Sequence, residues 1–273
     1  MKQINRYPLL TRFLLLAGTT FFPLSAWSNK SCYTPSSVSI FDLLVIESRS
    51  YDRRVFTQGF FIDSQYLWVS SDLYGESFIE RKDWPSGKNK MRLDLSDNLF
   101  AEGVTIHKGK VYLLSWKSQQ MFTIDPEQLN ITGIYPLQGQ GWGVTSDGDS
   151  LWLSNGTARL KRWRDGAVEQ TLSVTLKGRP LPRLNELEWI GNEIWANVWM
   201  TDQIVTIDPD SGQITRIIDL TNLLPKNERA RNTDVLNGIA QDPKTGAIWV
   251  TGKRWPTMYR IELIERPQGN RRQ

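Results

Sequence analysis

Chemically useful side chains recur at two places around a phrase that the chain repeats. The residues just before each repeat begins are Gln58, Glu102, Trp142, Glu186 and Asn237. The residues three or four positions after the central aromatic of each repeat are Asp72, Trp116, Asn155, Trp199 and Lys253. Together these positions hold carboxylates that can move protons, a cation, amide and indole donors, and aromatic rings. The combination predicts a pocket for a small molecule or a chain end.

Several other reaction types lack the residues that they need. His107 is the only histidine, and its polar surroundings predict an exposed turn residue, so neither a Ser-His-Asp triad nor a histidine-rich zinc site is expected. Cys32 is the only cysteine, which excludes an intrachain disulfide. No Gly-rich phosphate loop precedes a helix. A carboxylate must therefore move any protons, and Glu102 is the candidate acid or base.

The repeat that carries these residues predicts an all-β fold. Copies begin at residues 59, 103, 143, 187 and 238, so the steps are 44, 40, 44 and 51 residues. Each copy has a short apolar strand, a polar turn and a second strand centred on an aromatic; the aromatics are Trp68, Tyr112, Trp152, Trp195 and Trp249. This period is typical of a β-propeller. We therefore expect an all-β, five-bladed β-propeller with blades that start near residues 58, 102, 142, 186 and 237.

The last repeat shows only three strands, which predicts how the propeller closes. Residues 38–48 precede the first repeat, and we expect them to supply the outer strand of the last blade, which removes an exposed sheet edge. Both sets of chemically useful residues would then lie at one rim, around the mouth of a central channel. An open β-sandwich explains the alternation of polar and apolar residues but not the period.

The first 28 residues are typical of a signal peptide. Lys2, Arg6 and Arg12 precede the apolar run "FLLLAGTTFFPL", which is short for a membrane anchor, the alternative interpretation. We expect a single domain over residues 29–273, exported to the periplasm or secreted. Removal of residues 1–26 lowers the formal charge from +4 to +1, so neither nucleic acid nor, for the mature form, a membrane is an expected partner. We expect a monomer.

Seven short motifs resemble one enzyme family. "FTQGF", "FAEGVT", "GWGVT", "LNELEW", "ANVW", "DVLNGIA" and "TGKRWP" occur in order between about residues 55 and 262, and they resemble the plant and bacterial type of glutaminyl-peptide cyclotransferase. The resemblance implies a five-bladed propeller that converts the N-terminal glutamine of peptides and proteins to pyroglutamate with release of ammonia. It also implies that no metal or other cofactor is required for catalysis. It does not decide whether a structural cation lies in the channel.

The same resemblance assigns roles to particular residues. Glu102 of "FAEG" would be the proton shuttle. The residues that would line the pocket are Phe56, Gln58, Phe100, Trp116, Trp142, Asn185, Trp199 and Lys253. We expect the charge of Lys253 to keep Glu102 ionised as a base. The chain departs from the family pattern at Ala101, near Gln140 and in "SSDLYGES", beside Asp72.

Two other functions use parts of the same residue set. A non-catalytic propeller could bind a peptide end or a sugar with the same aromatic rim, and it would release no ammonia. A metal-dependent lactonase could use the carboxylates and asparagines that the repeats bring to the channel, but the tryptophans and Lys253 in the same set disfavour a metal site.

Overall fold

The chain folds almost entirely into β-strands. The computed structural model describes residues 38–73, 75–88 and 90–267. The strands are β1 (Ser39–Ser50), β2 (Thr57–Ile62), β3 (Tyr66–Ser71), β4 (Phe78–Asp83), β5 (Lys90–Asp94), β6 (Ala101–His107), β7 (Lys110–Ser115), β8 (Gln120–Ile124), β9 (Ile131–Pro136), β10 (Val144–Ser146), β11 (Leu151–Leu153), β12 (Arg159–Arg164), β13 (Ala167–Ser173), β14 (Thr175–Leu176), β15 (Arg179–Pro180), β16 (Leu184–Ile190), β17 (Glu193–Val198), β18 (Gln203–Ile207), β19 (Ile214–Asp219), β20 (Leu236–Gln241), β21 (Ile248–Gly252) and β22 (Thr257–Glu265). One 3-10 helix, Lys226–Glu228, lies between β19 and β20.

The strands form antiparallel units of four. Strands β2–β5, β6–β9 and β10–β13 are separate four-stranded sheets, and β14–β15 is a small hairpin. The remaining strands form one eight-stranded sheet in the order β16-β17-β18-β19-β1-β22-β21-β20. Its two antiparallel halves meet where β1 pairs with β19 in parallel over three residues. The architecture is therefore all-β and propeller-like, as the repeat predicted.

The N-terminal strand belongs to the same sheet as the C-terminal strands. Strand β1 pairs antiparallel with β22 from Phe41↔Glu265 to Ser50↔Thr257. It therefore occupies the outer position that the sequence predicted for residues 38–48. The predicted signal peptide, residues 1–28, lies outside the described residues and stays a prediction. The described part of the chain holds no helix with the length and hydropathy that a membrane span requires.

Aspartates in two of the hairpin turns bind the tryptophans of the strands that follow them. The Asp63 carboxylate accepts two backbone N–H groups of its own turn, and its Oδ2 accepts the indole N–H of Trp68 at 2.7 Å. Asp147 makes the same contacts, with the indole N–H of Trp152 at 2.9 Å. Each turn thereby satisfies the polar atom of an otherwise buried ring.

The first strands of the units contact one another in a closed cycle. Strand β2 contacts β6 and β20, β6 contacts β10, β10 contacts β16, and β16 contacts β20. Glycines at the repeat starts permit this approach. A Cβ on Gly59 would lie 2.4 Å from the Val104 nitrogen, and one on Gly143 would lie 2.1 Å from the Asn185 carbonyl oxygen. No other residue leaves room for such close backbones. We call these five strands the inner strands. They begin at Thr57, Ala101, Val144, Leu184 and Leu236, each within two residues of the start that the sequence predicted.

Two buried glutamates of β16 bridge to other inner strands. The Oε2 of Glu186 accepts the backbone N–H of Ile239 at 2.9 Å, and the carboxyl also contacts the backbone of Phe60. The Oε1 of Glu188 accepts the N–H of Gln241 at 3.1 Å. Burial raises the pKa of Glu186 well above its ordinary value and raises the pKa of Glu188 to about 8. At neutral pH the Glu188 carboxyl is therefore predominantly protonated, and burial also favours the protonated form of Glu186.

Glu188→Gln is expected to flatten the pH dependence of stability. Because the folded pKa of Glu188 lies above the unfolded value, its contribution is fully present below about pH 4 and is lost as the pH rises through about 8. Glutamine retains an acceptor and cannot ionise. Urea unfolding measures the difference in the free energy of unfolding between the variant and the wild type. This difference should favour the variant by a few kcal/mol more at high pH than at acidic pH. A difference that does not change with pH would contradict the assignment.

Candidate active site

One pocket gathers all nine residues that the sequence predicted for the site. Its volume is about 500 Å³. It is lined by Phe56, Gln58, Phe100, Glu102, Trp116, Trp142, Asn185, Trp199, Met200, Asp234 and Lys253. Met200 and Asp234 were not predicted, although Met200 directly follows the motif "ANVW" and Asp234 is the first residue of "DVLNGIA". The pocket combines aromatic walls with a few polar groups, which is typical of a small-molecule site.

A β-bulge turns Glu102 into the pocket. Strand β6 pairs Ala101 with Ser115 and next pairs Val104 with Leu113, so Glu102 and the following glycine face a single residue of β7. Bulges of this kind redirect side chains at strand ends. The Ser70 hydroxyl donates to the Glu102 carbonyl oxygen, which ties the bulge to the neighbouring unit. Glu102 is only 4% exposed.

The bulges also correct the alignment of the fourth repeat. In β16 the irregularity lies between Leu184 and Leu187, so Asn185 occupies the place that Glu102 occupies in β6. The sequence alignment had placed Glu186 there. Glu186 instead faces the other inner strands and does not line the pocket. Gln58 lies in the corresponding irregularity of β2.

The second strand of three units ends at the pocket wall. Trp116, Trp199 and Lys253 directly follow β7, β17 and β21. Each donates its backbone N–H to the carbonyl of the residue before the inner strand, at 3.1, 2.8 and 2.9 Å. Met200 and Arg254 come next in the chain with φ values of 65° and 58°. These left-handed residues end the strands, so the preceding side chains project into the pocket.

The aromatic walls are held together by a residue that the sequence did not identify as functional. The Gln140 side-chain oxygen accepts the indole N–H of both Trp116 and Trp142, each at 2.9 Å. Trp142 packs edge to face on Trp199 with ring centroids 5.5 Å apart. The indole N–H of Trp142 is therefore already engaged within the protein. Gln140 appeared in the sequence only as a departure from the family pattern.

Glu102 shares its surroundings with a second buried carboxyl and a buried cation. Burial raises the pKa of Glu102 well above its ordinary value; the charge of Lys253 opposes this shift and the charge of Asp72 adds to it. Burial also raises the pKa of Asp72 to about 8. The expectation that Lys253 keeps Glu102 ionised is therefore wrong, because desolvation outweighs the attraction between the two groups. The net shift favours the protonated form of Glu102.

Lys253 lies against an aromatic wall of the pocket. Its Nζ is 4.7 Å from the ring centroid of Phe56, a cation–π distance. Burial lowers its pKa, while the charges of Glu102, Asp234 and Asp72 oppose that change. Lys253 thus places a desolvated cation close to two carboxyl groups.

Several residues of the two repeated positions lie outside the pocket. Asn155 faces a turn, where its Oδ1 accepts the Thr157 hydroxyl at 2.6 Å. Asn237 donates to the Thr57 carbonyl oxygen at 2.9 Å and joins two inner strands. The prediction for His107 was wrong, because the ring is 5% exposed and its Nδ1 contacts the Ser146 hydroxyl at 2.8 Å. Across the described ranges, no three His, Cys, Asp or Glu side chains are grouped to hold a metal ion.

Comparisons with known proteins agree with the motifs around this pocket. A sequence model of the family described as glutamine cyclotransferase matches residues 18–263. The chain is 34% identical over 276 residues to the glutaminyl-peptide cyclotransferase of Arabidopsis thaliana, covering 95% of this chain and 84% of the relative. The crystal structure of Myxococcus xanthus glutaminyl cyclase superposes with a TM-score of 0.75 at 27% identity, covering 84% of this chain and all of that one. The chain therefore belongs to the glutamine cyclotransferase family.

Proposed function

We propose that this chain catalyses the cyclisation of N-terminal glutamine in peptides and proteins to pyroglutamate, with release of ammonia. The observation that carries the proposal is the buried carboxyl of Glu102 in an aromatic pocket that also contains Lys253. Membership of the glutamine cyclotransferase family supports it. A pocket of about 500 Å³ has room for the end of a peptide chain.

The reaction is intramolecular, so the pocket mainly selects a folded rotamer of the substrate. The α-amine and the γ-carboxamide belong to one residue, and holding them together lowers the entropic part of the barrier. A terminal amine with a pKa of about 7.7–8.0 is partly neutral at mild pH. Phe100 and Trp116 have ring centroids 4.9 Å apart. In the proposal these rings pack on the methylenes of the glutamine and exclude water.

Glu102 acts first as an acid and then as a base. The α-amine attacks the carboxamide carbon while Glu102 gives its proton to the departing amide nitrogen, and ammonia leaves as that C–N bond breaks. The Glu102 carboxylate then takes the extra proton from the new ring nitrogen, which regenerates the acid. The raised pKa of Glu102 supports this order, and such proton transfer contributes about 10²- to 10⁴-fold. Lys253 stabilises the transient carboxylate.

The substrate carbonyl oxygen becomes negative during the attack, and we propose two pocket donors for it after considering which donors are already in use. Asn185 gives one of its two Nδ2–H groups to the Asn237 side chain at 2.8 Å, and the single indole N–H of Trp142 donates to Gln140. We assign the oxyanion to the Lys253 ammonium and the Trp199 indole, which line the same pocket. A well-placed donor contributes about 3 kcal/mol. In this mechanism the side chains of the pocket supply both the acid and the charge stabilisation, so no metal is required.

An ammonia-release assay tests the proposed function. A short peptide with N-terminal glutamine should yield ammonia and pyroglutamate in equal amounts, with and without a chelator. The same peptide acetylated at its N-terminus is the control, since it has no free amine to attack. Binding without ammonia release would indicate the peptide- or sugar-binding alternative. Loss of activity on chelation with recovery on addition of zinc would contradict the metal-free mechanism.

The proposed fold for this function is a five-bladed β-propeller closed by the N-terminal strand. The cycle of contacts among β2, β6, β10, β16 and β20 supports the count of five. The two halves of the eight-stranded sheet would be the fourth and fifth blades. An experimental structure that places any of these inner strands outside the cycle would contradict the count.

A further inference from the structure

A second buried carboxyl lies behind the pocket and holds one of its lining residues. Asp72 is 1% exposed, and it does not line the pocket. Its Oδ2 accepts the side-chain Nε2–H of Gln58 at 3.0 Å. Its Oδ1 accepts the Ser77 hydroxyl at 3.3 Å, and the Ser77 oxygen in turn accepts the backbone N–H of Ala101. Asp72 is therefore fixed to β2 and to the start of β6.

The contact with Asp72 determines which way the Gln58 amide faces. Because Nε2 donates to Asp72, the planar amide places Oε1 on its other side. Gln58 is 4% exposed and lines the pocket, and its Oε1 accepts no hydrogen bond from the residues that the structure describes. A buried acceptor without a partner costs free energy, and the hydrogen bond from Nε2 to Asp72 holds Oε1 in this position. A ligand that brings an N–H donor removes this cost.

We propose that Asp72 is a positioning residue that fixes Gln58 so that its Oε1 accepts a hydrogen bond from the γ-carboxamide N–H of the substrate. This inference rests on the proposed function. The contact selects glutamine over glutamate, because a glutamate side chain has an oxygen where glutamine has the NH₂ group. A site that is built to pair a buried polar group rejects an analogue that cannot pair it.

Asp72 could instead act through charge, since Glu102 and Lys253 both interact with it electrostatically. The two routes have different signatures. A route through Glu102 changes the pH profile of kcat and affects all peptides alike. A route through Gln58 changes the preference between glutamine and glutamate and disappears when Gln58 is removed.

The test measures peptide binding without turnover. In the Glu102→Gln background, calorimetry gives the Kd of two peptides that differ only in beginning with glutamine or glutamate. Asp72→Leu and Gln58→Leu should each reduce the preference for glutamine by about tenfold or more. Asp72→Asn should retain the preference, because its Oδ1 can accept the Gln58 N–H. In a protein that already carries Gln58→Leu, the further substitution Asp72→Leu should change the preference for glutamine only slightly.

Each outcome of the test decides the inference. A preference for glutamine that survives Gln58→Leu overturns it, and so does an equal loss of affinity for both peptides. Full additivity of the two leucine substitutions, together with a shifted pH profile of kcat when Asp72→Leu is made in the protein that retains Glu102, shows that Asp72 acts through Glu102 and also overturns the inference. Gln58→Leu leaves Asp72 in place, so the test does not depend on Asp72→Leu folding. Failure of the wild type to release ammonia would contradict the proposed function, while the binding ratio still reports on the contact.

Discussion

Glu102→Gln is expected to fold normally and to lower kcat for glutamine cyclisation by about 10²- to 10⁴-fold. Glutamine has nearly the same size and can take the place of the carboxyl in its buried site, but it cannot give a proton to the leaving nitrogen. The raised pKa of Glu102 also predicts that wild-type kcat falls at alkaline pH as the proton is lost. Ammonia release measured from neutral to alkaline pH checks both expectations.

A matched control is available in the same protein. Glu188→Gln makes the same chemical change at another buried glutamate that does not line the pocket. It should leave kcat close to that of the wild type. Turnover that is retained in Glu102→Gln, or lost equally in both variants, would show that Glu102 is not the proton shuttle.

Gly143→Ala is expected to lower the free energy of unfolding by more than about 4 kcal/mol. The new Cβ would lie 2.1 Å from the Asn185 carbonyl oxygen and 2.9 Å from the Glu186 Cα. Both are backbone atoms, so the clash can be relieved only by separating β10 from β16. Because Asn185 lines the pocket, KM should rise as well. Urea unfolding and steady-state kinetics measure the two effects.

Gly109→Ala is the control for this substitution. Gly109 has φ 75°, and an added Cβ would meet nothing within 4 Å, so only backbone strain of about 1 kcal/mol is expected. A loss of stability in Gly143→Ala that is no larger than the loss in Gly109→Ala would show that Gly143 is not required for close contact between the inner strands.

The repeat was sufficient to predict the sheet units and most of the pocket. Gly103 follows Glu102, and Tyr112 follows that glycine nine residues later; the same spacing between a glycine and an aromatic recurs in other copies. This spacing places the ends of two strands together. The fourth repeat was misaligned by one residue because it lacks the glycine that marks the start of the other four copies. Nothing in the side chains of Asn185 and Glu186 distinguishes which of them faces the pocket, since the two polar residues are adjacent.

The charge state of the site was not predictable from the sequence. Motifs place Lys253 near Glu102, which by itself favours an ionised carboxylate. The opposing desolvation depends on how completely residues distant in the chain cover the group, and here it is the larger effect. The role of Gln140 in holding two pocket tryptophans was missed for a similar reason, because its two indole partners become neighbours only in the folded chain.

The pairing of Phe41 with Glu265 has a consequence for biosynthesis. Strand β1, the first strand of the described part of the chain, pairs with β22 near the other end, so this sheet remains incomplete until nearly the whole chain has been synthesised. Pairing between such distant segments slows folding. During this interval β1 is unpaired and can associate with another nascent chain. Deletion of β1 should also increase aggregation, because it leaves an edge of β22 unpaired.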